Sequence, residues 1–257
     1  MADMSNEEVK TAWQGEGTSI FDPVLCELCY RWFNVPGGKV LDPFAGGSVR
    51  GIVSAFCGMP YTGIELRPEQ VEANIEQLGI IDTGLPLPEW ICGDSANMQN
   101  LLGAGFSADF VFSCPPYGSL EVYSDLPGDI SAMDGEGFAD AYKKIIASAV
   151  GLLKKDRFAV FVVGNYRDKK GFMCDLVGET ARAFEAAGAR FYNEMILINP
   201  SGSLPIRVGK QFNGGRKIGK THQNVLVFYK GDPKKIKENY PEIDFSQITD
   251  NSDLTAI

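Results

Sequence analysis

Lys39-Val-Leu-Asp42-Pro-Phe-Ala-Gly-Gly-Ser48 is the stretch that decides the fold. A short apolar strand stops at a carboxylate and a proline, turns through two glycines, and opens into a helical pattern from Val49 to Cys57. Glycines at such a turn let backbone N–H groups and a helix N-terminus approach a ligand closely. Tyr61-Thr-Gly-Ile-Glu65 reads as the next strand. Pro68 then stands in the first turn of a helix, Gly79 just past its end, and Val71, Ile75 and Leu78 form its apolar face. Trp90-Ile-Cys92 predicts a third strand before Gly93-Asp94, and Ala108 to Phe112 a fourth, ending at Ser113-Cys-Pro-Pro116.

The second half continues the alternation. Tyr142, Ile145, Ile146, Ala149, Leu152 and Leu153 give an amphipathic helix over Phe138 to Lys154. Arg157 to Val163 is apolar on both faces and predicts a central strand. Phe172 to Ala187 reads as a helix closed by Gly188, and Met195–Ile198 and Asn224–Tyr229 as the last strands. Strands alternating with helices imply an α/β fold with a mainly parallel sheet. Residues 1–231 read as a single domain, and 232–257 as a polar, acidic, loosely packed tail.

Composition narrows the class. The chain has 257 residues, 24 basic and 33 acidic, with a net charge of −9 and 44% hydrophobic residues, which excludes disordered, collagenous and coiled-coil chains. No apolar run approaches the roughly 18 residues of a membrane span, and Met1–Lys10 is polar and acidic, unlike a signal peptide. The six cysteines are scattered through apolar stretches, so reduced thiols in a cytoplasmic protein are expected. Cys26 and Cys29 lie three apart on a helical stretch with no second Cys or His pair, which implies core packing and no metal.

Asp42, Glu65 and Asp94 stand at successive strand ends on one edge of the sheet, where open α/β folds bind ligands. Glu65 comes 23 residues after Asp42, about where such folds place a carboxylate for ribose hydroxyls. The turn is not the dinucleotide fingerprint, and no Gly-Lys-Ser/Thr follows to make a phosphate loop.

Asp42-Pro-Phe-Ala-Gly-Gly-Ser, Gly63-Ile-Glu65-Leu66 and Cys114-Pro-Pro-Tyr117-Gly together resemble the amino-methyltransferases that use S-adenosylmethionine. These are best known as bacterial and phage DNA modification methylases acting on adenine N6 or cytosine N4. The resemblance runs from about Thr18 to Lys230 and implies a Rossmann-like class I methyltransferase fold. Its seven-stranded sheet would carry helices on both faces and a last strand running antiparallel. By the same resemblance, the glycine turn at Gly46 and Gly47 faces the methionine part of the cofactor, and Asp42 and Phe44 beside it are counted among the cofactor-binding residues. Glu65, with Leu66 beside it, takes the ribose hydroxyls, and Asp94 with Ser95 lies beside the adenine ring. Phe21 and Asp22 stand where the family has its N-terminal cofactor element.

In that family the catalytic tetrapeptide begins with Asp, Asn or Ser, whose side chain accepts from the target amino group. Two prolines stiffen the loop and an aromatic ring stacks on a base swung out of the helix. Here Cys114 holds the first position, with Pro115, Pro116 and Tyr117 intact. A thiol is a poor acceptor, and Ser113 stands one residue too early to replace it without a shifted loop. Three readings of Cys114 stay open: a buried small residue, a tolerated variant beside backbone acceptors, or the nucleophile of a pyrimidine carbon-5 methyltransferase.

Ser201 to His222 contains Arg207, Lys210, Arg216, Lys217 and Lys220 and no acidic residue. Its +5 leaves −14 for the rest of a chain whose total is −9. Five glycines predict a mobile substrate-recognition loop over about 199–222, read as a DNA-phosphate-contacting arm. The acidic segment from Leu120 to Met133 is expected to lid the pocket, and His222 has a structural or substrate-loop role. Two further alternatives remain. Some transfer-RNA guanine methyltransferases share the glycine turn and a Pro-Pro-Tyr-Gly tetrapeptide, though the 41 residues before Asp42 are expected to leave no room for their usual RNA-binding domain. The departure at Cys114 also fits an inactive cofactor-binding module.

Overall fold

The computed structural model describes residues 20–80, 84–118, 122–133, 135–200, 202 and 204–243. The expectations for Met1–Lys10, Glu121 and the end of the tail lie outside them. The strands are β1 Val40–Asp42, β2 Tyr61–Glu65, β3 Glu89–Cys92, β4 Ala108–Ser113 and β5 Leu153–Val163, then β6 Tyr166–Arg167, β7 Met173–Cys174, β8 Arg190–Ile198 and β9 His222–Lys230. Seven of them form one sheet in the order β3-β2-β1-β4-β5-β9-β8, while β6 and β7 pair as a separate hairpin. The first five run parallel, and β9 lies antiparallel between β5 and β8. The expected seven-stranded, mainly parallel sheet with an antiparallel last strand is therefore present.

Alternation along the strands feeds two cores, because successive side chains leave opposite faces. In β5, Phe158, Val160 and Val162 pack on one face while Ala159, Phe161 and Val163 pack on the other. The first face is covered by α1, Pro23–Phe33, through Cys26, Cys29, Tyr30 and Phe33. Both cysteines are buried, which accounts for their spacing without a metal. Helix α2, Val49–Phe56, follows β1, and α3, Pro68–Glu76, follows β2 with Pro68 in its first turn. After β3 comes the short α4, Met98–Leu102. The opposite face is covered by α5, Gly135–Leu152, and α6, Leu176–Ala186.

Four expectations give way. Strand β5 begins at Leu153, inside the helix expected to reach Lys154, because buried Leu153 pairs across to Ala108 on β4. Helix α6 starts at Leu176 and not at Phe172, since the Asp175 carboxylate accepts from the Gly178 N–H as an N-cap and the preceding residues turn back as the β6–β7 hairpin. The expected mobile loop contains a helix, α7, Leu204–Gly215. Pro205 sits in its first turn, where a missing N–H costs nothing, and Leu204, Val208 and Phe212 recur on one side. No residue of α7 is buried. The tail is not loose over its described part either: it forms α8, Ile236–Asn239, and Ile236 and Tyr240 pack on the core. No described helix is long and apolar enough to cross a membrane.

Candidate active site

A cleft of about 1270 Å³ opens along the sheet edge where β1, β2, β3 and β4 end. It is lined by Phe44, Gly46 and Gly47 after β1, Glu65 and Leu66 after β2, Asp94 and Ser95 after β3, and Cys114, Pro115, Pro116 and Tyr117 after β4. Phe21 and Asp22 close one side, and Leu197, Asn199, Pro200 and Gln223, flanking the basic segment, close another. A drug-sized ligand needs roughly 300–1,000 Å³, so there is space for a cofactor and part of a second molecule. Of the expected lid, Tyr123, Gly128, Asp129 and Ile130 line the cleft.

Asp42 takes a different place from the other two carboxylates. It is fully buried and absent from the lining. Its oxygens accept from Arg50 Nε at 2.6 Å, the Tyr61 hydroxyl at 2.8 Å, the Ser113 hydroxyl at 2.5 Å and the Phe44 N–H at 3.1 Å. Arg50, on α2, also donates to the carbonyls of Phe44 and Ala45, at 2.7 and 2.9 Å, and lies over the Phe21 ring. Asp42 thus fixes the glycine turn from beneath, and offers no free oxygen to a ligand. Ser113 is committed to the same network, so it does not stand in for the tetrapeptide's first residue.

The turn above this network is open. Gly46 has φ +50, and added methyl groups at Gly46 or Gly47 would meet nothing within 4 Å. Asn74 on α3 holds the Gly46 carbonyl at 2.7 Å, while Glu65 accepts the Gly46 N–H at 2.9 Å. The other Glu65 oxygen accepts from the Arg67 N–H and Nε at 3.1 and 3.2 Å. A carboxylate has about four acceptor positions, so Glu65 keeps capacity toward the cleft. Asp94 spends Oδ1 on the Ala96 N–H at 2.8 Å, and Oδ2 faces Gly128 across the cleft wall. Ser95 donates to the Pro43 carbonyl at 2.5 Å, tying the β3 end to the β1 turn. Asp22 caps α1, accepting from the N–H groups of Val24 and Leu25, and Phe21 packs edge-on against Phe112.

Cys114 is half-buried between this network and Tyr117. Burial pushes its thiol pKa above the ordinary value, and the nearby Arg50 guanidinium and Tyr117 hydroxyl only partly offset that. Burial also holds the Tyr117 phenol far above its usual range. Both groups stay protonated near neutral pH. Pro115 and Pro116 have no polar side-chain atom, so the acceptors they offer are backbone carbonyls.

The five basic residues do not line the cleft. Arg207 and Lys210 stand exposed on α7, and Arg216, at φ +51, lies over the Phe212 ring 5.0 Å away. Lys220 reaches nearer. A methyl group on Gly164 would meet Lys220 Nζ at 3.3 Å and the Tyr117 ring at 3.5 Å, so this amine stands beside the Cys114–Tyr117 loop. His222 is exposed at the start of β9. The sequence reading missed Arg50, whose only signal was a cation inside the apolar run of α2 beside a strand-end Asp. No group of three or more His, Cys, Asp or Glu suited to a metal is found among the described residues.

No family model matches the chain. Over 82 residues it is 30% identical to the Type II methyltransferase M.SmaI of Serratia marcescens, a match spanning 29% of this chain and 28% of that protein. Among solved structures, TrmN of Thermus thermophilus superimposes over 86% of this chain and 52% of its own, with TM-score 0.53 and 18% identity. A Pyrococcus horikoshii protein assigned as an RNA methyltransferase matches over 81% and 82%, with TM-score 0.52 and 15% identity. The Synechocystis magnesium protoporphyrin IX methyltransferase, crystallised with S-adenosylmethionine, matches over 88% and 92%, with TM-score 0.51 and 12% identity. The chain is thus built on the class I fold of the S-adenosylmethionine-dependent methyltransferases, with its cleft on the strand edge where open α/β sheets take ligands.

Proposed function

We propose that the chain is an S-adenosylmethionine-dependent methyltransferase acting on an exocyclic amino group of a DNA base. The observation that carries this reading is the continuity of the cleft from Glu65 and Asp94 to Cys114-Pro115-Pro116-Tyr117, with space beyond one ligand. The fold alone does not choose a substrate, since RNA and porphyrin methyltransferases share it. The local similarity to a Type II methyltransferase and the tetrapeptide favour a nucleic-acid base, and the basic segment of an acidic chain favours a polyanion.

The residues present fit the cofactor. The open turn at Gly46 and Gly47 admits its methionine part, Glu65 has acceptor capacity for the ribose hydroxyls, and Asp94 with Ser95 flanks the place for the adenine. When bound, S-adenosylmethionine supplies an electrophilic methyl carbon that an amino nitrogen attacks as the carbon–sulfur bond breaks. The loop carbonyls accept the amino hydrogens and leave the nitrogen lone pair free, while the Tyr117 ring stacks on the base. Burial favours the Cys114 thiol over the nucleophilic thiolate, which supports amino transfer over covalent attack on a ring carbon.

Incubating the protein with labelled S-adenosylmethionine and either DNA or RNA, then analysing the nucleosides by mass, tests the reading. Labelled N6-methyladenine or N4-methylcytosine in DNA is expected. Methylguanine in RNA would replace DNA by RNA, 5-methylcytosine would overturn amino transfer, and no transfer at all would leave an inactive cofactor-binding module.

A further inference from the structure

The β6–β7 hairpin belongs to neither the cofactor edge nor the basic segment, yet the fold sets it against both. The Tyr166 hydroxyl fills the space that a Cβ on Gly118 would occupy, and Gly118, at φ +55, directly follows Tyr117. At the other end of the hairpin, Lys217 Nζ stands 3.5 Å from where a Cβ on Gly171 would be. The hairpin turn and the basic segment, some 45 residues apart in sequence, therefore form one continuous surface beside the catalytic loop.

The turn is rigid. The Asp168 N–H donates to the Phe172 carbonyl at 2.9 Å, the Phe172 N–H to Asp168 Oδ1 at 2.8 Å and the Gly171 N–H to the Asp168 carbonyl at 3.0 Å. Arg167 Nη1 closes the ring on the Gly171 carbonyl at 2.9 Å. Asp168 thereby spends Oδ1 within the turn, while Lys169 and Lys170 beside it stand exposed. The same bonds hold Phe172 outward, 72% exposed, with Met173 beside it 52% exposed. An aromatic ring standing in water two residues after Lys170 serves no core. Its flat apolar face suits a base, and its cationic flanks suit phosphates.

We propose that this hairpin is a second DNA contact, in which the Phe172 ring stacks on an unpaired base while Lys169 and Lys170 neutralise adjacent phosphates. The inference rests on the nucleic-acid reading above and extends it to a surface outside the cleft and outside residues 199–222. Because the turn's backbone is held before binding, little backbone freedom is lost when the hairpin is used.

The test is fluorescence anisotropy of a labelled mixed-sequence DNA oligonucleotide, single-stranded and duplex, titrated with the full chain. Phe172→Leu keeps an apolar side chain but loses the ring, and should weaken single-strand binding roughly 5- to 150-fold, the equivalent of about 1–3 kcal/mol of stacking. Phe172→Trp should retain affinity, and its indole emission should be quenched on DNA addition. Lys169→Ala with Lys170→Ala should lower the slope of log affinity against log salt by about two, whereas Phe172→Leu should leave that slope unchanged. If Phe172→Leu binds like the unmutated protein while Arg216→Glu with Lys217→Glu binds weakly, the hairpin proposal falls and the nucleic-acid reading stands. If the unmutated protein binds neither form of the probe, both fall.

Discussion

Asp42, at the β1 end of the cleft, is fully buried and accepts from four donors, while Arg207 and Lys210, on α7 at the other side, are exposed and pair with no described carboxylate. The contrast extends to whole elements. Helix α2 is anchored through Arg50, Gly51, Ser54 and Ala55, whereas α7 buries nothing and Ile206 is 81% exposed. A small cofactor of fixed shape is best met by groups already held in place. A long polyanion is met by charges on flexible stems, since phosphates fix position more than identity. The two regions therefore should respond to mutation in opposite ways, one in stability and small-ligand affinity, the other in polymer binding alone.

The largest effect is expected at the buried pair. Arg50→Met leaves Asp42 charged and buried without its cation, and should cost about 3–5 kcal/mol in urea unfolding. A loss below about 1 kcal/mol would mean that the turn is rigid for another reason. Next comes Glu65→Ala. Losing charge-assisted hydrogen bonds to the ribose should weaken S-adenosylmethionine binding by about 1.5–3 kcal/mol, and unchanged affinity by calorimetry would remove Glu65 from the cofactor site.

On the opposite side, Arg216→Glu with Lys217→Glu should shift stability by less than about 0.5 kcal/mol, since neither side chain is buried. The same variant should bind DNA weakly while its cofactor titration stays unaltered. Loss of cofactor binding would join the two regions that the comparison separates. The smallest change in activity is expected from Cys114→Ser, which should keep or raise methyl transfer because a hydroxyl accepts better than a thiol. A drop of several orders of magnitude, with a denaturation-resistant adduct on fluorinated pyrimidine DNA, would instead identify Cys114 as the nucleophile.

Legibility followed locality. The β1 turn, the Glu65 strand end and the Pro-Pro-Tyr loop are each written within a few consecutive residues, so period and turn chemistry were enough to read them. The helix within 201–222 was missed because five glycines outweighed the helical spacing of Leu204, Val208 and Phe212. Phe172 was assigned to a helix because apolar spacing alone could not distinguish it from α6, whose start is set by the Asp175 cap. Asp42 was read as a ligand group because a strand-end carboxylate looks the same whether it faces a cleft or a buried Arg50.

By itself, then, the sequence determined the alternation of the seven sheet strands with their main helices, the glycine turn, the carboxylate after β2, and an acidic chain with one basic segment. These follow from side-chain period, backbone permissiveness and charge, which act over short stretches. Only the tertiary structure decided which carboxylates stay available, because burial and partner count depend on residues 8, 19 and 71 positions away from Asp42. It also decided that Lys220 stands beside Tyr117 and that the hairpin joins the basic segment. Those contacts close across β5 and β9, strands whose pairing is long-range, and chain-local patterns carry no record of what such pairing brings together.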